Sequence, residues 1–189
     1  MVRMRADARA NREDLLQAAR DLTGEKGLDV SLRAIAQRAG VGVATLYRHF
    51  PTRRDLLTEL LQGLLADLRA AAERFHSGEE DLSARWRDFA VHVAAVNLTA
   101  VAVTRQSMKE RDLPHRELME AAEGEILELM ESVASVVRAA RIVRADVTGE
   151  RFLLGLMTVM RPLLPEVEQV LPGQRAWLLD AYLRGLAAG

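Results

Sequence analysis

The stretch from Ser31 to Phe50 reads SLRAIAQRAGVGVATLYRHF. Leu32, Ile35 and Ala36 share one face at i, i+3, i+4 spacing, which predicts a short amphipathic helix from Ser31 to Arg38. Ala39-Gly40-Val41 interrupts it. Gly40 can take a positive φ without a Cβ clash, as a sharp helix-to-helix turn requires. A second short helix is predicted from about Gly42 to His49. Val43, Ala44, Thr45 and Arg48 would point outward from it, and Val41, Leu46 and Phe50 inward. Pro51 stops it, because the residue before a proline avoids the α region.

Two packed helices with a glycine turn form a helix-turn-helix, whose second helix is sized for the DNA major groove. The side chains suit that task. Arg33 can make bidentate bonds to guanine, and Thr45 can reach a phosphate or a thymine methyl. Tyr47 and His49 offer polar tips to phosphate oxygens. Val43 and Ala44 are small enough to let the backbone approach base edges. The same pattern also describes an ordinary helical hairpin with a buried tyrosine and a surface histidine.

Gly40-Val41, Thr45-Leu46-Tyr47-Arg48-His49-Phe50 and Pro51-Thr52-Arg53 together closely resemble the DNA-binding signature of the TetR (tetracycline-repressor-like) family, over about Arg12 to Leu61. The resemblance implies an all-α protein with two parts. An N-terminal three-helix DNA-binding domain would occupy residues 1–55, and a C-terminal helical domain for effector binding and dimerisation residues 56–189. It implies that Arg33, Gly42, Val43, Ala44 and Thr45 face bases or nearby phosphates, while Tyr47, His49 and Arg53 grip the DNA backbone. It further implies a dimeric, ligand-responsive transcription regulator, with repression the expected output.

Composition sets the outer bounds. The chain has 189 residues, 49% hydrophobic and 28% charged, as expected of a globular protein. It has no cysteine, which excludes disulfides and thiolate chemistry and fits a reducing compartment. No apolar run approaches the roughly 18 residues of a membrane span. The N-terminus lacks the apolar core of a secretory signal, so a cytoplasmic location is expected. The net charge of −1 hides an asymmetry. Residues 1–54 hold 11 basic and 6 acidic side chains, a balance of +5, and the rest hold 15 and 21, a balance of −6. A basic head on an acidic body fits a protein that meets phosphate at one end.

Along the chain, Arg3, Arg5, Arg9 and Arg12 form a basic arm, read either as a phosphate contact or as a solvated terminus. A first helix is expected from about Ala8 to Lys26. Thr52 and Asp55 form a capping box that starts a long helix rich in paired leucines, from Leu56 to Leu68. That helix would serve as the lever between head and body, and Arg53 and Arg54 at its start could hold a phosphate. Ser77-Gly78 breaks it. From Asp81 onward the apolar spacing predicts helices only: a Trp86, Phe89, Val93, Val96 stripe, a shorter helix over Leu98 to Met108, and one from about His115 to Arg141 whose stripe ends in Val133 and Val136. Asp146 would cap the next helix. Pro162 and Pro165 would end it, and a last helix follows Gln174.

The two final helices carry too many apolar residues to face solvent. Burial against a second copy is expected through Phe152, Leu156, Val159, Trp177, Leu179, Tyr182, Leu183 and Leu186, and the family resemblance implies the same assignment. A two-fold dimer would present two recognition helices to a near-palindromic double-stranded operator. Candidate residues for a small-molecule effector are Trp86, Phe89, His92, Arg105, Met108, Met119, Met130 and Met157. Methionines and aromatics at such spacing equally describe a core. His49, His76, His92 and His115 show no metal-binding spacing, and no serine sits in a nucleophile motif, so neither metal, cofactor nor catalytic site is expected. The rival to a DNA-binding regulator is an all-helical protein-interaction module without ligand response.

Overall fold

The fold is that of a computed structural model, which describes residues 2–26, 30–96, 98, 109–160 and 170–188, with the side chains of 2–10 and 24–26 outside that description. Eight α-helices and no strand occur among the described residues. They are α1 (Val2–Lys26), α2 (Leu32–Arg38), α3 (Val43–His49), α4 (Arg53–Ser77), α5 (Leu82–Ala95), α6 (Arg116–Ala139), α7 (Gly149–Val159) and α8 (Gln174–Leu186). A 3-10 turn, Glu110–Asp112, precedes α6. The all-α reading holds. The predicted helix over Leu98 to Met108 falls almost wholly outside the described residues.

The chain divides into two compact units, residues 1–63 with 100–119, and residues 64–99 with 120–189. The packing boundary therefore lies inside α4, later than residue 55. The reason is that Leu56 and Leu60 pack with the first core, whereas Leu68, Ala71, Ala72 and Phe75 belong to the second.

In the first unit, α1 supplies Leu15, Ala19 and Leu22, α2 supplies Ile35 and Ala36, and α3 supplies Leu46. Phe50 and Leu56 complete the core. Each helix has a local cause. Ser31 caps α2, its hydroxyl accepting from the Ala34 N–H at 3.1 Å. Gly40 sits at φ +69°, the left-handed turn that a Cβ would strain. At α4 the capping box is reciprocal: Asp55 N–H donates to the Thr52 hydroxyl at 3.1 Å, and Thr52 N–H donates to the Asp55 carboxylate at 2.9 Å. α1 begins at Val2 rather than near Ala8, so the backbone of the basic arm is helical. Arg12 lies over the Phe50 ring, 5.4 Å from its centroid, and pairs with Glu59.

The second unit is built on an aromatic cluster. Trp86 and Phe152 rings lie 4.6 Å apart, and Phe89 and Phe75 pack beside them. Met130, Val133 and Val137 from α6 and Leu183 and Leu186 from α8 close around it. Asp81 caps α5. α7 is capped by Thr148, not by the expected Asp146. The helix starts at Gly149, one residue after Thr148, and Asp146 pairs instead with Arg144 and Arg151. α6 and α7 approach so closely at Gly149 that a Cβ there would fall 2.3 Å from the Glu131 backbone nitrogen. Glu131 also accepts from the Gly149 N–H at 2.6 Å, and Arg138 holds Glu131 and the Val147 carbonyl together. Val136, placed on the inner stripe by spacing, is exposed.

A candidate nucleic-acid interface

The helix-turn-helix is held from behind and open in front. Leu46 and Phe50 are 0% and 1% exposed, which fixes α3 on the core of the first unit. On its other side Val43 is 37% exposed and Tyr47 50%, and Gly42, Ala44 and Arg48 are exposed as well. Thr45, predicted outward, is half-buried, as is His49. Thr45 lies one residue before Leu46, so its side chain sits at the margin of the buried stripe. On α2, Arg33 is exposed, and so are Gln37 and Arg38 on the same outer side. Arg53 is half-buried at the start of α4.

Sequence reasoning left out Arg48, Gln37 and Arg38 as candidates, although helical spacing places Gln37 one turn after Arg33 and Arg48 one turn after Ala44. It credited Arg54 with a phosphate, but Arg54 donates to the Glu110 carbonyl at 3.1 Å. What remains in front is arginines with amide and phenol groups, all able to donate hydrogen bonds, and small apolar side chains. Such a surface suits an array of acceptors, which a phosphate backbone and the guanine edge both present.

The other candidates separate by burial. Trp86, Phe89 and Met130 are fully packed in the aromatic core of the second unit. They serve as core, because their rings and the Met130 thioether already fill one another's surroundings. Met157 is half-buried against that core, and Met119 is half-buried in the first unit. Arg105 and Met108 lie outside the described residues. His92 is half-buried, but its Nε2 is sealed from solvent with no hydrogen-bond partner among the described residues.

Of the residues expected to meet a second copy, Phe152, Leu156, Leu179, Leu183 and Leu186 are covered by the chain's own core, which corrects their assignment. A helix that is apolar all round must be buried, but its sequence does not say by what. Val159 and Tyr182 are half-buried. Tyr182 donates to the Phe152 carbonyl at 2.8 Å and lies against Gly155, and burial pushes its phenol up to about 12. Trp177 and Leu154 stay 59% and 55% exposed. Leu154, Gly155 and Thr158 line one face of α7, along an open groove that Asp146, Thr148, Glu150 and Arg151 continue. Among the described residues no cluster of three or more His, Asp or Glu is placed to hold a metal ion, and no helix is long and apolar enough to cross a membrane.

Residues 15–60 match the family described as bacterial regulatory proteins, tetR family. An HTH-type transcriptional regulator of Staphylococcus aureus (strain USA300) is 33% identical over 82 residues, 41% of this chain and 44% of that protein. The matched region thus spans less than half the length of that relative. A TetR transcription regulatory protein from Mycobacterium vanbaalenii has a similar structure over 98% of this chain and 99% of its own, with 25% identity and a TM-score of 0.59. The TetR-like regulator LfrR from Mycobacterium smegmatis, solved in complex with proflavine, shares the fold at 22% identity and a TM-score of 0.60, over 93% of this chain and 94% of its own.

Proposed function

We propose that the chain, whose residues 15–60 match the tetR family of bacterial regulatory proteins, is a regulator of that kind: a dimeric repressor that binds a near-palindromic operator and is released from it by a small molecule. The observation that carries the DNA-binding part is the division of α3: Leu46 and Phe50 are sealed while Val43, Ala44, Tyr47 and Arg48 are presented. In this reading α3 enters the major groove, with Gly42, Val43, Ala44 and Thr45 nearest the bases and Arg33 reaching in from α2. Tyr47, His49 and Arg53 contact phosphates. The charge asymmetry between the two parts of the sequence supports the same polarity.

A second copy is the natural cover for Leu154, Thr158 and Trp177. Leu154, exposed and lining an open groove, and Trp177, exposed on α8, are the large apolar side chains that the final two helices leave for an interface. A two-fold operator asks the dimer for two recognition helices about 34–36 Å apart, on successive major grooves.

Release by an effector requires differential affinity for two states of the dimer. His92 supports an effector with a hydrogen-bonding group. A buried ring nitrogen with no partner among the described residues is costly, and a ligand would satisfy it. The proflavine complex of LfrR is in keeping with small-molecule binding in this fold.

The decisive experiment is capture of genomic fragments by the purified chain, followed by affinity measured against salt. Each phosphate contact should add about 0.9 to the negative slope of log K on log salt. A fragment-independent, salt-flat signal would reject DNA binding. Loss of effector response in His92→Ala with operator affinity intact would support the ligand part, and an unchanged response would remove His92 from it.

A further inference from the structure

The outward surface of α3 opens with three consecutive positions that offer DNA no hydrogen-bonding side chain: Gly42, Val43 and Ala44, all exposed. Folding does not demand this. Gly42 has an ordinary φ of −70°, and a Cβ added there would meet nothing within 4 Å. Val43 stands outside the core formed by Leu46 and Phe50. Val43 is 37% exposed, so part of its isopropyl group is presented outward beside two residues with almost no side chain.

Such a presented apolar group matches one feature of the DNA major groove. In the major groove thymine alone carries a C5-methyl group, and small apolar side chains recognise it by contact. Resting on the DNA-binding reading above, we propose that Val43, with Ala44 beside it, reads thymine methyl groups, so that each half-site is specified there by methyls. The absence of a side chain at Gly42 lets α3 come close enough for that contact. Arg33 and Arg48, both exposed, supply the hydrogen bonds at neighbouring positions.

The test uses the full chain and the captured operator. Each thymine of a half-site is replaced in turn by uracil, which deletes one methyl and keeps every hydrogen-bonding group. Binding is measured for the wild type, Val43→Ala and Val43→Thr. At one or two positions uracil should weaken the wild type by about fourfold, the effect of one buried methyl. That penalty should shrink towards onefold in Val43→Ala. A 5-methylcytosine·guanine pair at the same position should bind more tightly than cytosine·guanine. Wild-type binding that is indifferent to every uracil, while remaining salt-dependent and operator-selective, overturns the inference and leaves the DNA-binding reading standing. A uracil penalty equally large in both Val43 variants overturns the assignment to Val43. Failure to capture any fragment defeats the underlying reading itself. Val43 is exposed and alanine favours helix, so a folding defect is not expected. Circular dichroism of the variants checks it.

Discussion

Tyr47 and Arg33 are both exposed on the helix-turn-helix, and in the proposed complex with DNA their chemistry would give them different work. A phenol tip on a phosphate carries no sequence information, whereas a guanidinium fork on guanine does. Tyr47→Ala should therefore weaken binding to all sequences alike. Arg33→Ala should cost about 1–3 kcal/mol on the preferred operator and less on others, flattening base choice. Competition binding over a set of single-base operator variants separates the two outcomes, and equal profiles would contradict the division. A second residue-scale case is Glu131. The Arg138 guanidinium, and then the Gly149 N–H, hold its carboxyl below the ordinary value of 4.5. The folded form thus prefers the charged carboxylate more than the unfolded chain does. Its contribution is present above pH about 4.5 and is lost as pH falls through the lower folded value. Thermal melts from pH 7 to pH 3 should show this loss, and Glu131→Gln should flatten part of it.

Elements were legible where one residue type does one job. The Thr52–Asp55 box, the Gly40 turn and the alternation of Leu46 and Phe50 against Val43 follow from geometry that any sequence must obey. Elements were illegible where several residues could do the job or where the partner is distant in sequence. Asp146 and Thr148 are both good caps, and only the start of α7 at Gly149 decides between them. That start is set by the crossing with α6, a contact across 18 residues of chain that periodicity does not contain. Gly149→Ala tests it. A methyl forced against the Glu131 backbone must push the helices apart and should cost about 1–3 kcal/mol in urea unfolding. Gly124→Ala on the open side of α6 meets nothing within 4 Å and should be neutral or slightly stabilising.

For the whole molecule, the apolar content of α7 and α8 announced burial but not its source. Phe152 and Leu156 turned out to fill the chain's own core, while Leu154, on the same helix, remains in solvent. Helical phase separates the two sets, yet a helix apolar on both sides gives no preference in sequence for which side is internal. The consequence is a clean pair of variants. Leu154→Arg should leave the melting of the monomer nearly unchanged and abolish assembly in analytical ultracentrifugation. Phe152→Ala should cost about 3–5 kcal/mol of stability regardless of assembly. Should Leu154→Arg sediment as a dimer, the proposed face is the wrong one. The exposed face of α2 and α3 was legible in outline for a related reason: the helix-turn-helix is local in sequence, so its spacing separates Leu46 and Phe50 from Val43 and Tyr47, whereas the interior of the second unit is assembled from distant segments.

The end of α8 is tied down. Arg144 N–H donates to the Leu186 carbonyl at 2.9 Å, Ala188 N–H donates to the Ile142 carbonyl at 3.1 Å, and Val143 and Ala187 form an isolated antiparallel bridge. Last turns of helices usually fray, and their amides swap deuterium within moments. Here the knot should slow that swap at Arg144 and Ala188 to a rate close to that of the interior amides, so that α8 opens only together with the connection between α6 and α7.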